Sequence, residues 1–93
     1  MSLYRIIYTA AYERRAAKFL KRHPNLIGQY EKALRMLELD PSHPALRLHK
    51  LEGKLSELHS ISINLSYRVV IHFLIEDGEI IPIDVGDHNR VYR

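Results

Sequence analysis

Cysteine is absent from the 93-residue chain, so neither disulfides nor thiolate zinc sites hold it together. That absence suits a reducing compartment, and a cytoplasmic location is expected. Long hydrophobic runs are missing too: Ile6-Ile7-Tyr8, near the N-terminus, is only strand-sized. Neither a secretory leader nor a membrane span is therefore expected. The chain has no glycine-rich phosphate loop, no Gly-x-Ser-x-Gly elbow and no dinucleotide fingerprint. No two histidines stand four apart on a helix beside a carboxylate, so no metal and no cofactor is expected. Repeats, low-complexity tracts and linkers are also lacking, which leaves one domain over residues 1–93.

What is present is ordinary in amount and uneven in placement. Apolar residues make up 46% of the chain, too many for disorder. A domain this small buries roughly 60–65% of its unfolded surface, enough for one thin core. The formal charge is +3. Residues 1–56 hold eleven Lys/Arg against five Asp/Glu, a net +6, and residues 57–93 hold three against six, a net −3. The cations are densest at Arg14, Arg15, Lys18, Lys21 and Arg22. Such a patch concentrates polyanions such as RNA or DNA; a merely solvated helix face would look the same.

Hydrophobic spacing gives the elements. Leu3 to Tyr8 reads as a strand, and the Thr9 hydroxyl can cap the helix that follows. From Ala10 to Arg22, Tyr12, Ala16, Phe19 and Leu20 recur on one helical stripe. His23-Pro24-Asn25 interrupts it, because proline disfavours helical backbone at the preceding residue. A second helix runs from Leu26 to Glu38 with Leu26, Ile27, Tyr30, Ala33, Leu34 and Leu37 on its apolar face, making a helical hairpin. Strands are expected at Leu46–Leu51, at Leu58–Asn64 with Ser60 and Ser62 alternating against Ile61 and Ile63, at Tyr67–Ile75, and at Glu79–Val85 after an Asp77-Gly78 turn. Pro82 implies a sheet edge or an irregularity. The order β-α-α-β-β-β-β predicts an α+β fold, with the hairpin on one face of a mainly antiparallel sheet.

Alternation in Tyr67–Ile75 places Tyr67, Val69, Ile71, Phe73 and Ile75 toward the helices and Arg68, Val70, His72 and Leu74 on the other side. A guanidinium there suits bidentate binding of phosphate oxygens, although an exposed sheet face can also carry a plain surface arginine. His88, in Val85-Gly86-Asp87-His88-Asn89-Arg90-Val91-Tyr92, follows a strand end where side chains reach a shared cleft. It could exchange protons near neutral pH, a contribution of about 10²–10⁴-fold in rate. Tyr92 could stack on a base or anchor the C-terminal tail. His49 lies on a short strand and could face either way. His23, His43 and His59 have weaker claims, the first two standing beside prolines.

His49-x-Leu51-x-Gly53, then Tyr67-Arg68 opening an apolar strand, then Gly86-x-His88 with Tyr92 four residues on, together resemble the RelE/ParE toxin superfamily. The likeness is nearest to the YafQ-like branch of bacterial type II toxin–antitoxin systems. It spans nearly the whole chain and implies the RelE fold and a ribosome-dependent endoribonuclease that cuts mRNA in the ribosomal A site. The implied chemistry is attack of the RNA 2′-OH on the adjacent phosphate, leaving a 2′,3′-cyclic end. By position, His49, Arg68, His88 and Tyr92 match the catalytic set, with His88 as the main acid–base group. Arg14, Arg15, Lys18, Lys50, Lys54 and Arg90 are the candidates for RNA contact. A cognate antitoxin bound as a hetero-oligomer is the implied partner. The nuclease members place a histidine and an aspartate where this chain has Ser62 and Ser66. That difference motivates one alternative, a catalytically inactive relative acting as a binding module; the other is a ParE-like, non-nuclease toxin that binds DNA gyrase, against which His49 and His88 speak.

Overall fold

The computed structural model describes residues 4–52, 58–74 and 78–87. Helix α1 spans Ala10–Arg22, and Thr9 caps it by accepting a hydrogen bond from the Tyr12 N–H at 3.1 Å. A 3₁₀ turn, Pro24–Leu26, leads into α2, Ile27–Leu39. The turn begins at Pro24 because proline's fixed φ suits the first helical position, where its missing N–H costs nothing. Tyr12 on α1 and Tyr30 on α2 are buried, and their hydroxyls meet at 2.6 Å, which pins the hairpin. Burial and the neighbouring Tyr30 push the Tyr12 phenol far up, so it stays protonated.

Five strands form one sheet in the order β1-β5-β4-β3-β2. They are β1 Arg5–Ile6, β2 His49–Lys50, β3 His59–Ser62, β4 Tyr67–Leu74 and β5 Glu79–Asp87. The sheet is antiparallel except that β1 runs parallel to β5 at one edge. Two expectations need correction. Residues 46–51 do not make one strand: Pro44–Leu46 is a 3₁₀ turn, Arg47 follows in left-handed backbone (φ 48°), and only His49–Lys50 pair with β3. The local cause is Pro44, which favours a turn start, while the His43 ring accepts the Ala45 N–H and caps it. Ile27, expected on the apolar face of α2, is exposed in its first turn. Gly78 takes the positive φ (64°) that the turn before β5 needs.

The irregularity expected at Pro82 is found. Val70 faces Asp84 and Ile71 faces Pro82, so Ile83 is an extra residue on β5. A proline cannot donate to the ladder, and a bulge beside it removes the mismatch. The Ile83 carbonyl is taken up by Arg15 of α1, whose Nη1 donates at 2.8 Å.

The two sheet faces differ as the alternation predicts. On one, Ile61, Val69, Ile71, Ile80 and Val85 join Tyr12, Ala16, Phe19, Tyr30, Leu34 and Leu37 of the helices in the main core. On the other, among the described residues, the buried apolar cluster is Leu51 and Val70, with Leu58 and Ile83 packed against them. Burying a side chain such as Ile71 contributes about 1.5–3 kcal/mol. The helix side therefore holds the fold together and the opposite side is left available for polar groups.

Candidate functional site

Cross-strand register fixes what shares the helix-free face. His49 pairs with Ser60, Ser60 with Val70, and one row away Ser62 pairs with Arg68 and Arg68 with Gly86. Directly paired residues point to the same side of a sheet, so His49, Ser60, Ser62 and Arg68 line one surface. Two interstrand spacings and a two-residue offset separate His49 from Arg68, about 12 Å between backbones. Arg68 narrows that gap, because its Nη1 donates to the Ser62 hydroxyl on β3 at 2.7 Å, leaning toward the His49 side. Gly86, on the opposite flank, presents no side chain to Arg68.

His49 is exposed and oriented at both ring nitrogens. Nδ1 lies 3.0 Å from the Arg47 carbonyl, which can only accept, so in this bond Nδ1 carries the proton. In the neutral ring Nε2 is then the acceptor, and the buried Ser60 hydroxyl lies 3.4 Å from it. The left-handed backbone at Arg47 aims that carbonyl at the ring. Such an imidazole can accept a proton from a substrate hydroxyl through Nε2.

The other expected residues divide. Lys50, next to His49 on a two-residue strand, points to the opposite side and pairs with His59. Arg14, Arg15 and Lys18 are exposed on α1, on the helix side of the sheet. His88, Tyr92, Lys54 and Arg90 lie outside the described residues. Ser62 belongs to the His49–Arg68 surface, whereas Ser66 is exposed in the β3–β4 turn, where its N–H donates to the Asn64 side chain at 2.8 Å. His59 is half-buried; burial first, then the charges of Lys50 and His49, lower its pKa below the usual 6.5.

A second polar region was not foreseen. Between α1 and the end of β5 is a cleft of about 380 Å³ lined by Arg15, Lys18, Arg22, His23, Tyr67 and Asp87, among others. His23 packs against two rings that also touch each other, with centroids 4.7 Å from Phe19 and 4.8 Å from Tyr67. The signal was present in the four-residue spacing of Phe19 and His23, which places both on one helical face. Recognising Tyr67 as their partner required knowing how β4 lies against α1.

No protein-family model matches this chain, and no curated protein matches it. Solved structures do match. The fold is that of the RelE/ParE type of toxin, two helices on one face of a small sheet, as expected. A chain of the E. coli DinJ–YafQ toxin–antitoxin complex superposes with a TM-score of 0.76 at 12% identity, covering 98% of this chain and 99% of that one. The YoeB/ParE toxin from Agrobacterium tumefaciens gives 0.71 at 15% identity, with 90% and 98% covered. A chain of the YoeB–YefM complex from Staphylococcus aureus gives 0.70 at 16%, with 91% and 97% covered.

Proposed function

We propose that this chain is the toxin of a type II toxin–antitoxin system and acts as a ribosome-dependent mRNA endoribonuclease. The observation that carries the reading is the pairing, on one face, of an imidazole with a directed Nε2 and a guanidinium held by Ser62. With RNA across that face, the 2′-OH attacks the adjacent phosphorus, the new P–O2′ bond forms and the P–O5′ bond breaks. A histidine takes the 2′ proton and a second acid returns one to the 5′ oxygen, leaving a 2′,3′-cyclic phosphate. Arg68 stabilises the added charge on the pentacoordinate phosphate. His88 is assigned the main acid–base role, His49 the second proton transfer or phosphate contact, and Tyr92 the positioning of base or phosphate. Arg14, Arg15, Lys18, Lys50, Lys54 and Arg90 are assigned to RNA contact. The natural partners are a cognate antitoxin and mRNA in the ribosomal A site, in the cytoplasm. Support for a partner comes from similar folds found in the DinJ–YafQ and YoeB–YefM complexes.

Ser62 favours a second reading. Its hydroxyl is engaged by Arg68 and cannot act as a base without an activating partner. A relative that binds without cutting would retain this surface while lacking the full acid–base set. Induction of the chain without its antitoxin separates the two readings. Cleavage predicts growth arrest and transcripts with 2′,3′-cyclic ends, lowered about 10²-fold or more by Arg68→Ala and His88→Ala. Arrest with intact transcripts would reject the nuclease.

A further inference from the structure

Two features of the α1–β5 cleft belong together: the cations along α1, and the rings of His23 at the end of that helix and Tyr67 on β4. Arg15, Lys18 and Arg22 come from one side of α1, and all three are exposed. His23 and Tyr67 are half-buried, so part of each ring is accessible along the cleft. Tyr67 is itself braced edge-on by Phe19, with ring centroids 5.3 Å apart, which holds the aromatic platform still. Asp84 and Asp87 complete the lining, and one oxygen of the Asp84 carboxylate accepts the Val85 N–H at 2.8 Å. A volume of about 380 Å³ falls within the ordinary range for small-ligand sites.

We infer that this cleft holds one nucleotide of a single-stranded RNA, its phosphate on the α1 cations and its base against the His23–Tyr67 rings. Cations that track a backbone beside aromatic rings that stack bases are the usual means of gripping single strands. The carboxylates decide between RNA and an acidic protein segment. An acidic peptide would meet Asp84 and Asp87 with like charge along its length. A nucleotide brings negative charge only at its phosphate and offers N–H donors from its base, which a carboxylate accepts. The cleft opens on the helix side, whereas His49 and Arg68 line the opposite face, so it is a grip separate from the proposed cleavage surface. The inference rests on the reading of the chain as an RNA-binding protein, and does not need cleavage to occur.

The probe is a fluorescent single-stranded RNA hexamer, 2′-O-methylated against cleavage, titrated with the purified chain at several salt concentrations. The Lys18→Ala/Arg22→Ala double variant changes two exposed side chains, and a thermal melt verifies its fold. It should bind about 10-fold more weakly, with a salt slope smaller by about 0.7, the contribution of one single-strand phosphate contact. Tyr67→Leu should lose about fivefold or more in affinity with its salt slope unchanged, as expected for lost stacking. If the double variant binds like the wild type while Arg68→Ala and His49→Ala do not, the cleft grip is wrong and RNA binding by the other face stands. If the wild-type chain does not bind the hexamer, the cleft grip is wrong, and the ribosome-dependent reading stands or falls by the induction assay. Displacement of the hexamer by a polyglutamate peptide at lower concentration than by unlabelled RNA would give the cleft to a protein partner and overturn the inference.

Discussion

The two faces of the sheet are built from the same five strands, yet they hold different kinds of residue for different reasons. On the helix side every inward position of β3 and β4 from Ile61 to Ile71 meets apolar side chains of α1 and α2. On the other side the same strands offer Ser60, Ser62 and Arg68, with one small apolar cluster around Val70. Adjacent residues on a strand thus serve opposite ends: Val69 holds the fold and Arg68 faces the helix-free side. Concentrating the cohesion on one side lets the other carry buried hydroxyls and a cation without loss of the core. The difference teaches that tolerance to substitution here follows sheet face more than position in the chain.

That comparison can be broken most directly by truncating each face in turn. Ile71→Ala on the helix side should cost about 2–5 kcal/mol, because it removes buried methylenes from a core that cannot close around the cavity. Val70→Ala, one residue earlier and also buried, should cost about 1–2 kcal/mol, since it loses less from a cluster of few members. Urea unfolding of the two variants measures both, and equal costs would show that the faces are energetically alike. Ser62→Ala should change stability by less than about 1 kcal/mol, because the half-buried guanidinium regains water for the bond it loses. If the chain cleaves RNA, the same variant should still lower the turnover rate about 10-fold through a misplaced Arg68. Mapped RNA ends and initial rates test that separation of stability from activity.

His49 and His59 sharpen the contrast on a smaller scale, being diagonal neighbours that point to opposite faces. The folded state lowers the His59 pKa below 6.5, chiefly by burial. The unfolded chain therefore binds more protons in the window just below 6.5, and stability rises with pH there. It should be fully present above about pH 6.5 and decline as the pH falls. His59→Gln should flatten this part of the stability–pH curve in thermal melts; an unchanged curve would remove His59 as its cause. The smallest effect is expected at Arg47. Left-handed backbone costs a non-glycine residue about 1–2 kcal/mol, partly offset by the greater flexibility of an unfolded glycine. Arg47→Gly should accordingly raise stability by about 0.5–1 kcal/mol, seen as a higher melting temperature.

Local patterning alone fixed a good part of this protein. The Thr9 cap, the bounds of α1 at Ala10 and Arg22, the opposed faces of β4 and the irregularity at Pro82 follow from short-range chemistry: hydrogen-bond satisfaction, side-chain period and proline's missing N–H. His49 and Arg68 were legible as candidates and alternation placed Arg68 on the helix-free face, but the way His49 faces was decided only by its pairing with Ser60. Equally hidden were the parallel docking of β1 beside β5, the reduction of the 46–51 segment to two paired residues, and the ring cluster of Phe19, His23 and Tyr67. Each depends on contacts between residues far apart in the chain, whose partners are chosen by how the helical hairpin and the sheet close on one core. Sequence set which side chains face together on each element; only tertiary packing decided which elements face each other.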